Sequence, residues 1–179
     1  MTAILMSIQP TWVSKILNGK KTLEIRKSMP KCDLPIDVYI YCTKGNGVKD
    51  FITIYKHVLT TNEISCHYIN GTVVAKFTLN KVEEIKCFSH LLGGYQTQTL
   101  ANLDLCEVSC LTYDELHSYL KGKVGYAWHI DNLVVFDKPK ELSEFYKWTD
   151  KTMGLHVMPK AKMVRTLTRA PQSWQFIEV

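Results

Sequence analysis

The sequence predicts an α+β fold, a small mixed β-barrel of six or seven short strands with two or three short helices plugging its ends. Three observations carry this expectation. Runs of β-branched and aromatic residues with period-two alternation recur along the chain, bounded by Gly, Pro and Asn turns. Helical periodicity is confined to a few brief segments. No repeated βαβ unit, internal repeat or low-complexity tract is present, which argues against a parallel α/β sheet or a solenoid.

The elements follow in order. Ile4 to Ile8 is a short apolar strand, and Pro10 stands where a helix tolerates proline, at a first position that needs no backbone donor. Trp12 or Val13, Ile16 and Leu17 recur at three- and four-residue steps, and Asn18-Gly19 supplies the left-handed residue that ends the helix. Lys21 to Arg26 then alternates, which predicts that Thr22, Glu24 and Arg26 share one strand face while Leu23 and Ile25 take the other. Met29, Pro30 and Pro35 mark a loop, and Ile36 to Thr43 is a strand. Lys44 to Asp50 is a turn whose GNG lacks the lysine and hydroxyl of a phosphate loop. Phe51 to Leu59 is a further strand, and Thr60 to Gly71 a polar excursion closing on an Asn70-Gly71 turn. Thr72 to Leu79 is a strand that Asn80 to Cys87 is expected to continue with a bend.

Leu91 to Asn102 specifies neither helix nor strand. Thr112 with Glu115 three residues on forms a capping-box signature, followed by Leu116, Tyr119 and Leu120 on one face and Gly122 as the stop. Val124 to Phe136 divides into two strand pieces around Asp131-Asn132. Lys138-Pro139 is a break, Glu141 to Trp148 a short helix, and Thr149 to Ala170 an irregular basic segment whose only acid is Asp150. Ser173 to Val179 closes the chain as an alternating strand.

The 179 residues are 46% hydrophobic and no Pro, Gly or Ser-rich linker divides them, so a single domain over residues 1–179 is expected. A net charge of +5 is compatible with a polyanionic partner but far from an arginine-rich tail. Cys32, Cys42, Cys66, Cys87, Cys106 and Cys110 lack paired finger spacing, and with no signal peptide they read as reduced thiols of a cytoplasmic protein. Neither a metal nor another cofactor is expected, and the longest apolar runs fall short of a membrane span.

Two stretches could carry chemistry. Lys21, Thr22, Glu24 and Arg26 form either a solvated strand face or the floor of a cleft where a helix end meets the sheet. In a cleft, the cations would grip phosphate or carbonyl oxygens and Glu24 would accept from the exocyclic amine of a base. In Gly125 to His129, alternation puts Tyr126 and Trp128 on one face and Ala127 and His129 on the other, and Trp128 and His129 either stack on a base and close such a pocket or are a core indole and an edge imidazole. Trp174 poses the same choice and is read as core. No GxSxG elbow surrounds Ser7, and Glu83 and Glu84 are adjacent, so on a strand they face opposite ways.

The run SIQPTWVSKILNGKKTLEIRK resembles the opening of the ASCH family, whose signature is a strand, a proline-started helix, a glycine and a KTxExR strand. YIYCTKG, GYAWHI, DKPKELSEF and PQSWQFIE are also similar to ASCH proteins of phage and prophage genomes. The resemblance implies a PUA-like β-barrel of about six strands that binds RNA or nucleotides in a cleft between barrel and helices. It implies cleft residues at Lys21, Thr22, Glu24 and Arg26, with Ser7 as a neighbour. Some bacterial relatives are amidohydrolases of N4-acetylcytidine that use a lysine, a threonine and a glutamate. Lys21 matches that lysine, but Glu24 occupies the threonine position, and Thr22 is displaced from it by about 7 Å along a strand. Glu107 is a loose candidate for the glutamate. The resemblance therefore implies binding of RNA or a modified nucleotide, with hydrolysis of a modified nucleoside or of RNA through Lys21 and Glu24 as the alternative. A third expectation is a host protein bound through the basic 149–170 segment.

Overall fold

A computed structural model describes residues 1–45, 51–58, 61–68, 70–89, 95–97, 104–149 and 163–179. Strand β1 is Thr2–Ile8, helix α1 Pro10–Leu17, β2 Leu23–Arg26 and β3 Ile36–Cys42. Then come β4 Phe51–Val58, β5 Thr61–Tyr68, β6 Val73–Leu79, β7 Val82–Ile85, β8 Cys87–Ser89 and β9 Tyr95–Thr97. Helices α2 (Leu105–Ser109) and α3 (Tyr113–Leu120) precede β10 (Gly125–His129) and β11 (Asp131–Lys140). A 3-10 turn at Leu142–Glu144 leads to β12 (Tyr146–Thr149), β13 (Met163–Thr166) and β14 (Trp174–Glu178). The fold is a mixed α+β arrangement with few helices and several sheets.

The chain divides into two compact units, and α1, β3, β6 and β11 run across the division in sequence. The first comprises Met1–Val13, Asp37–Lys76 and Val134–Val179. Its main feature is a sheet ordered β11-β6-β3-β1-β14-β12-β13. β1 lies near the centre because its continuous apolar run can be buried on both faces, which suits a strand paired on both sides. It runs parallel to β3, with Ile4 opposite Val38, and antiparallel to β14, with Ile4 opposite Phe176. Parallel partners need a crossover longer than a hairpin, and α1 with β2 supplies it. Ala3, Leu5, Tyr41, Val73, Phe145, Leu167 and Ile177 form this unit's core, where Tyr39 meets Phe145 edge-on at 5.1 Å. The order of this sheet is open among the described strands, and no closure into a barrel joins β11 to β13.

The second unit comprises Ser14–Ile36 and Phe77–Leu133. Antiparallel β2, β10 and β7 form its three-stranded sheet, with β10 in the middle. Leu23, Ile25, Ile85 and Ala127 on one face pack with Leu105 of α2 and Leu116 and Leu120 of α3. α3 starts as the capping box specifies: Glu115 N donates to Thr112 Oγ1 at 3.2 Å, and Thr112 N donates to Glu115 Oε2 at 2.8 Å.

Several sequence expectations are corrected. The polar stretch after Leu59 contains a strand, β5, which pairs with β4 along its length from Val58 opposite Thr61 to Phe51 opposite Tyr68. Asn80 to Cys87 does not continue β6, because β7 joins a different sheet. Lys138-Pro139 lies inside β11 rather than breaking it, which an edge strand permits because proline's missing donor can face away from the ladder. Glu141 to Trp148 holds a single 3-10 turn and then β12, because the β-branched and aromatic residues after Phe145 favour a strand over a helix. α2 was not anticipated. Fourteen strands lie among the described residues instead of six or seven, many of them too short to show alternation. Most of the 149–170 segment, residues 150–162, lies outside the described residues, and so does most of the GNG turn.

Candidate functional site

The predicted charged face becomes a buried ion cluster in the second unit. α1 ends as its Asn-Gly pair dictates: Gly19 takes φ +75°, and the amides of Lys20 and Lys21 both donate to Lys15 O at 3.0 Å. That double bond at the helix end sets where Lys21 leaves the backbone. Its side chain is 2% exposed, and Nζ donates to Ser109 O at 2.6 Å while lying 3.3 Å from Glu24 Oε2. The other Glu24 oxygen meets Arg26 Nη2 at 3.1 Å. Glu24 therefore holds two cations at once and is itself buried.

The seat of the Lys21 ammonium is the C-terminal end of α2, where carbonyls have no intrahelical partner. Lys15 Nζ reaches the next carbonyl, Cys110 O, at 3.4 Å, so two lysines satisfy the end of one short helix. Asp104 starts that helix by accepting from Cys106 N at 2.8 Å. Asp104 is the one sequence signal that could have revealed α2, an N-cap residue before a short apolar run. Burial pulls the Lys21 amine below its ordinary value, opposed by the Glu24 carboxylate. Ser109 Oγ is buried with no hydrogen-bond partner among the described residues, in the same place where its carbonyl takes Lys21.

The other candidate residues divide. Thr22 stands just before β2 with its side chain exposed; its amide donates to Val108 O at 2.9 Å, and its carbonyl accepts from Ile130 N at 3.0 Å, beside the Leu23–His129 pair. Lys21 precedes β2, and its side chain reaches the Glu24 carboxylate from the helix end. Trp128 pairs in register with Glu24, and Tyr126 with Arg26, so both aromatic side chains project on the cluster's face. Trp128 is fully buried and its indole N–H donates to Ser28 O at 3.2 Å, so it serves packing and offers no open ring face for stacking. Tyr126 is half-buried.

His129 pairs with Leu23 and projects on the opposite face. There His129 Nε2 lies 2.6 Å from Glu83 Oε2, and Lys81 Nζ lies 2.9 Å from Glu83 Oε1. Burial works against Glu83 ionisation, but bonds from Lys81 and His129 outweigh it and hold the carboxyl below its ordinary value. The structure thus separates His129 from the Lys21 cluster that the sequence grouped with it. Glu107 is exposed on α2 and contributes a backbone carbonyl to Cys110 N at 3.1 Å. Ser7 belongs to the first unit, where Oγ donates to Pro171 O at 2.6 Å and N to Ser173 O at 2.9 Å.

Two groups were missed by sequence reasoning. Ser109 enters only through the unforeseen α2. Tyr119 of α3 lies within electrostatic reach of the cluster: burial pushes its phenol up, Arg26 opposes and Glu24 adds. Lys27 Nζ lies 4.7 Å from the centre of its ring. No group of three or more metal-ligating side chains occurs among the described residues, and no helix among them is long and apolar enough to cross a membrane.

The crystal structure of ASCH from Zymomonas mobilis is similar in fold, with a TM-score of 0.52 and 15% identity over 92% of this chain and 87% of that one. A serine-to-alanine variant of the same Zymomonas mobilis protein gives a TM-score of 0.54 at 15% identity over 98% and 88%. No curated protein matches the chain. The ASCH domain matches residues 6–140, which include α1, Gly19, β2 and α2, the elements around the cluster. The chain belongs to the ASCH domain family, a family generally linked to RNA binding.

Proposed function

We propose that the protein binds RNA or a modified nucleotide through Lys21, Glu24 and Arg26, acting as a single ASCH domain of PUA-like barrel type over residues 1–179. The supporting observation is the buried cluster itself. Taking three charged side chains out of water is unfavourable, and apolar residues of similar volume would often be neutral or more stable in their place. Stability alone is thus a weak reason for burying three charges, and ligand recognition supplies a further one. Lys21 and Arg26 would engage phosphate or carbonyl oxygens, and Glu24 would accept from an amine edge of a base. Thr22 precedes this strand, Trp128 supports it from within and His129 lies on its other face; a ligand role for Ser7, in the first unit, rests on the family resemblance alone. The protein is taken to be cytoplasmic and of phage or prophage type.

Binding is measured by fluorescence anisotropy with single-stranded RNA and by calorimetry with modified nucleosides, on wild type and on folded Lys21→Ala, Arg26→Gln and Ser7→Ala variants. Loss of one charge-assisted contact should weaken binding about tenfold or more. Unchanged affinity in the Lys21 and Arg26 variants overturns the site, and no binding by wild type overturns the class.

One observation favours a second reading, hydrolysis of a modified nucleoside or of RNA. The Lys21 amine, pulled below its ordinary value by burial and 3.3 Å from the Glu24 carboxylate, would activate water, or Glu24 would act as general base. Incubation with N4-acetylcytidine and with single-stranded RNA, followed by mass spectrometry, separates the readings. Product that persists in both Lys21→Ala and Glu24→Ala would mark a contaminant. A host protein held through the basic 149–170 segment is tested by pull-down from host lysate with that segment deleted.

A further inference from the structure

The first unit contains a cavity of about 600 Å³ that no part of the Lys21 cluster lines. Its size falls within the range of about 300–1,000 Å³ typical of small-ligand clefts. Tyr41, Leu142 and Leu167 give it an apolar and aromatic lining, and Ser143 and Thr168 add hydroxyls. Tyr41 and Leu167 are also core residues, so this lining is anchored.

Two cations also line this cavity, Lys44 and Arg169. Both side chains are exposed, and neither has an ion-pair partner among the described residues, although Glu141 also lines the cavity. Lys44 is held in place. Buried Asn70 donates its side-chain amide to Lys44 O at 3.2 Å, and Gly71 N donates to Cys42 O at 2.8 Å. Gly71 takes φ +87°, and a Cβ there would come within 3.3 Å of two carbons of the Lys44 side chain. The bare glycine thus lets the lysine stem lie against the turn. Arg169 follows Leu167, whose amide donates to Phe145 O at 2.9 Å and fastens that wall to the core.

We propose that this cavity binds a nucleoside monophosphate unit, with its base against the Tyr41, Leu142 and Leu167 lining and its phosphate between Lys44 and Arg169. Two cations match a phosphate dianion, a guanidinium suits its geometry, and the hydroxyls and Glu141 suit ribose hydroxyls. The site goes beyond the reading proposed for the Lys21 cluster and does not depend on it.

The test is amide-resolved NMR titration of the full chain with AMP, GMP, CMP, UMP and their nucleosides. At least one monophosphate should shift the amides of Gly71, Thr168, Arg169 and Ala170, and bind about tenfold or more tighter than its nucleoside. Lys44→Ala and Arg169→Ala, both at exposed positions, should each weaken it about tenfold, with Arg169→Lys intermediate because a lysine keeps charge but not the fork. Equal affinity for nucleoside and monophosphate, shifts confined to other residues, or unaltered binding in both alanine variants overturns the proposal. A 5′-phosphorylated trinucleotide that binds like the mononucleotide, against a 5′-hydroxyl control that does not, assigns the site to RNA ends; failure of both trinucleotides assigns it to free nucleotides.

Discussion

Replacing Lys21 with methionine tests whether the buried cluster is a charged unit. The substitution keeps most of the aliphatic length but removes the ammonium that donates to Ser109 O at 2.6 Å and faces Glu24 at 3.3 Å. Removing one member of a buried ion pair typically costs about 3–5 kcal/mol. Arg26 remains on Glu24 at 3.1 Å, so the Glu24 charge is not abandoned and a loss of about 2–4 kcal/mol is expected at pH 7. For a chain of this size each kcal/mol corresponds to roughly 2–4 °C in melting temperature. Urea unfolding of both proteins from pH 7 to 10 adds a sign. Burial lowers the Lys21 pKa in the folded state from 10.5, so the unfolded state binds more protons between the folded value and 10.5. Wild-type stability should therefore rise relative to Lys21→Met across that window. The opposed burden of burying the ammonium is fully present below it. A Lys21→Met protein as stable as wild type at pH 7, or a difference that does not change with pH, would refute the charged-cluster account.

Three further outcomes follow from the same geometry. Thr112→Ala removes the acceptor for Glu115 N and should cost about 1 kcal/mol in chemical denaturation. Bonds from Thr112 lower the Glu115 pKa, so that carboxylate's contribution is present above 4.5 and is lost as pH falls through the folded value; a cap effect constant down to pH 2 would contradict it. Gly125→Ala places a Cβ 2.7 and 2.8 Å from the Leu120 methyls and 3.1 Å from Ile85 Cγ1, and thermal unfolding should show a loss of about 1–3 kcal/mol. Trp128→Phe loses the bond to Ser28 O and leaves a partial void, for a loss of about 1–3 kcal/mol by urea titration; a change under about 0.5 kcal/mol would mean the indole is not a core anchor.

Much of the cluster was legible because it is local. Pro10, Gly19 and the alternation after Lys21 set a helix, its stop and a strand within one short span, and the structure builds each. The Thr112 capping box was legible for the same reason, since both partners lie three residues apart. The strand pieces β7, β8 and β9 were obscure because three or four residues do not display a period.

By itself the sequence determined the strand, helix, glycine and charged strand of residues 4–27, together with their family, since propensity, capping and turn chemistry act over a few neighbouring residues. Alternation alone put Trp128 and His129 on opposite faces, but only the tertiary structure decided that Lys21 is seated on Ser109, that Trp128 is the inward one, beside Glu24, and that His129 meets Glu83. Those outcomes depend on register between segments 46 to about 104 residues apart, and a one-residue slip would exchange every face. No local pattern carries that information.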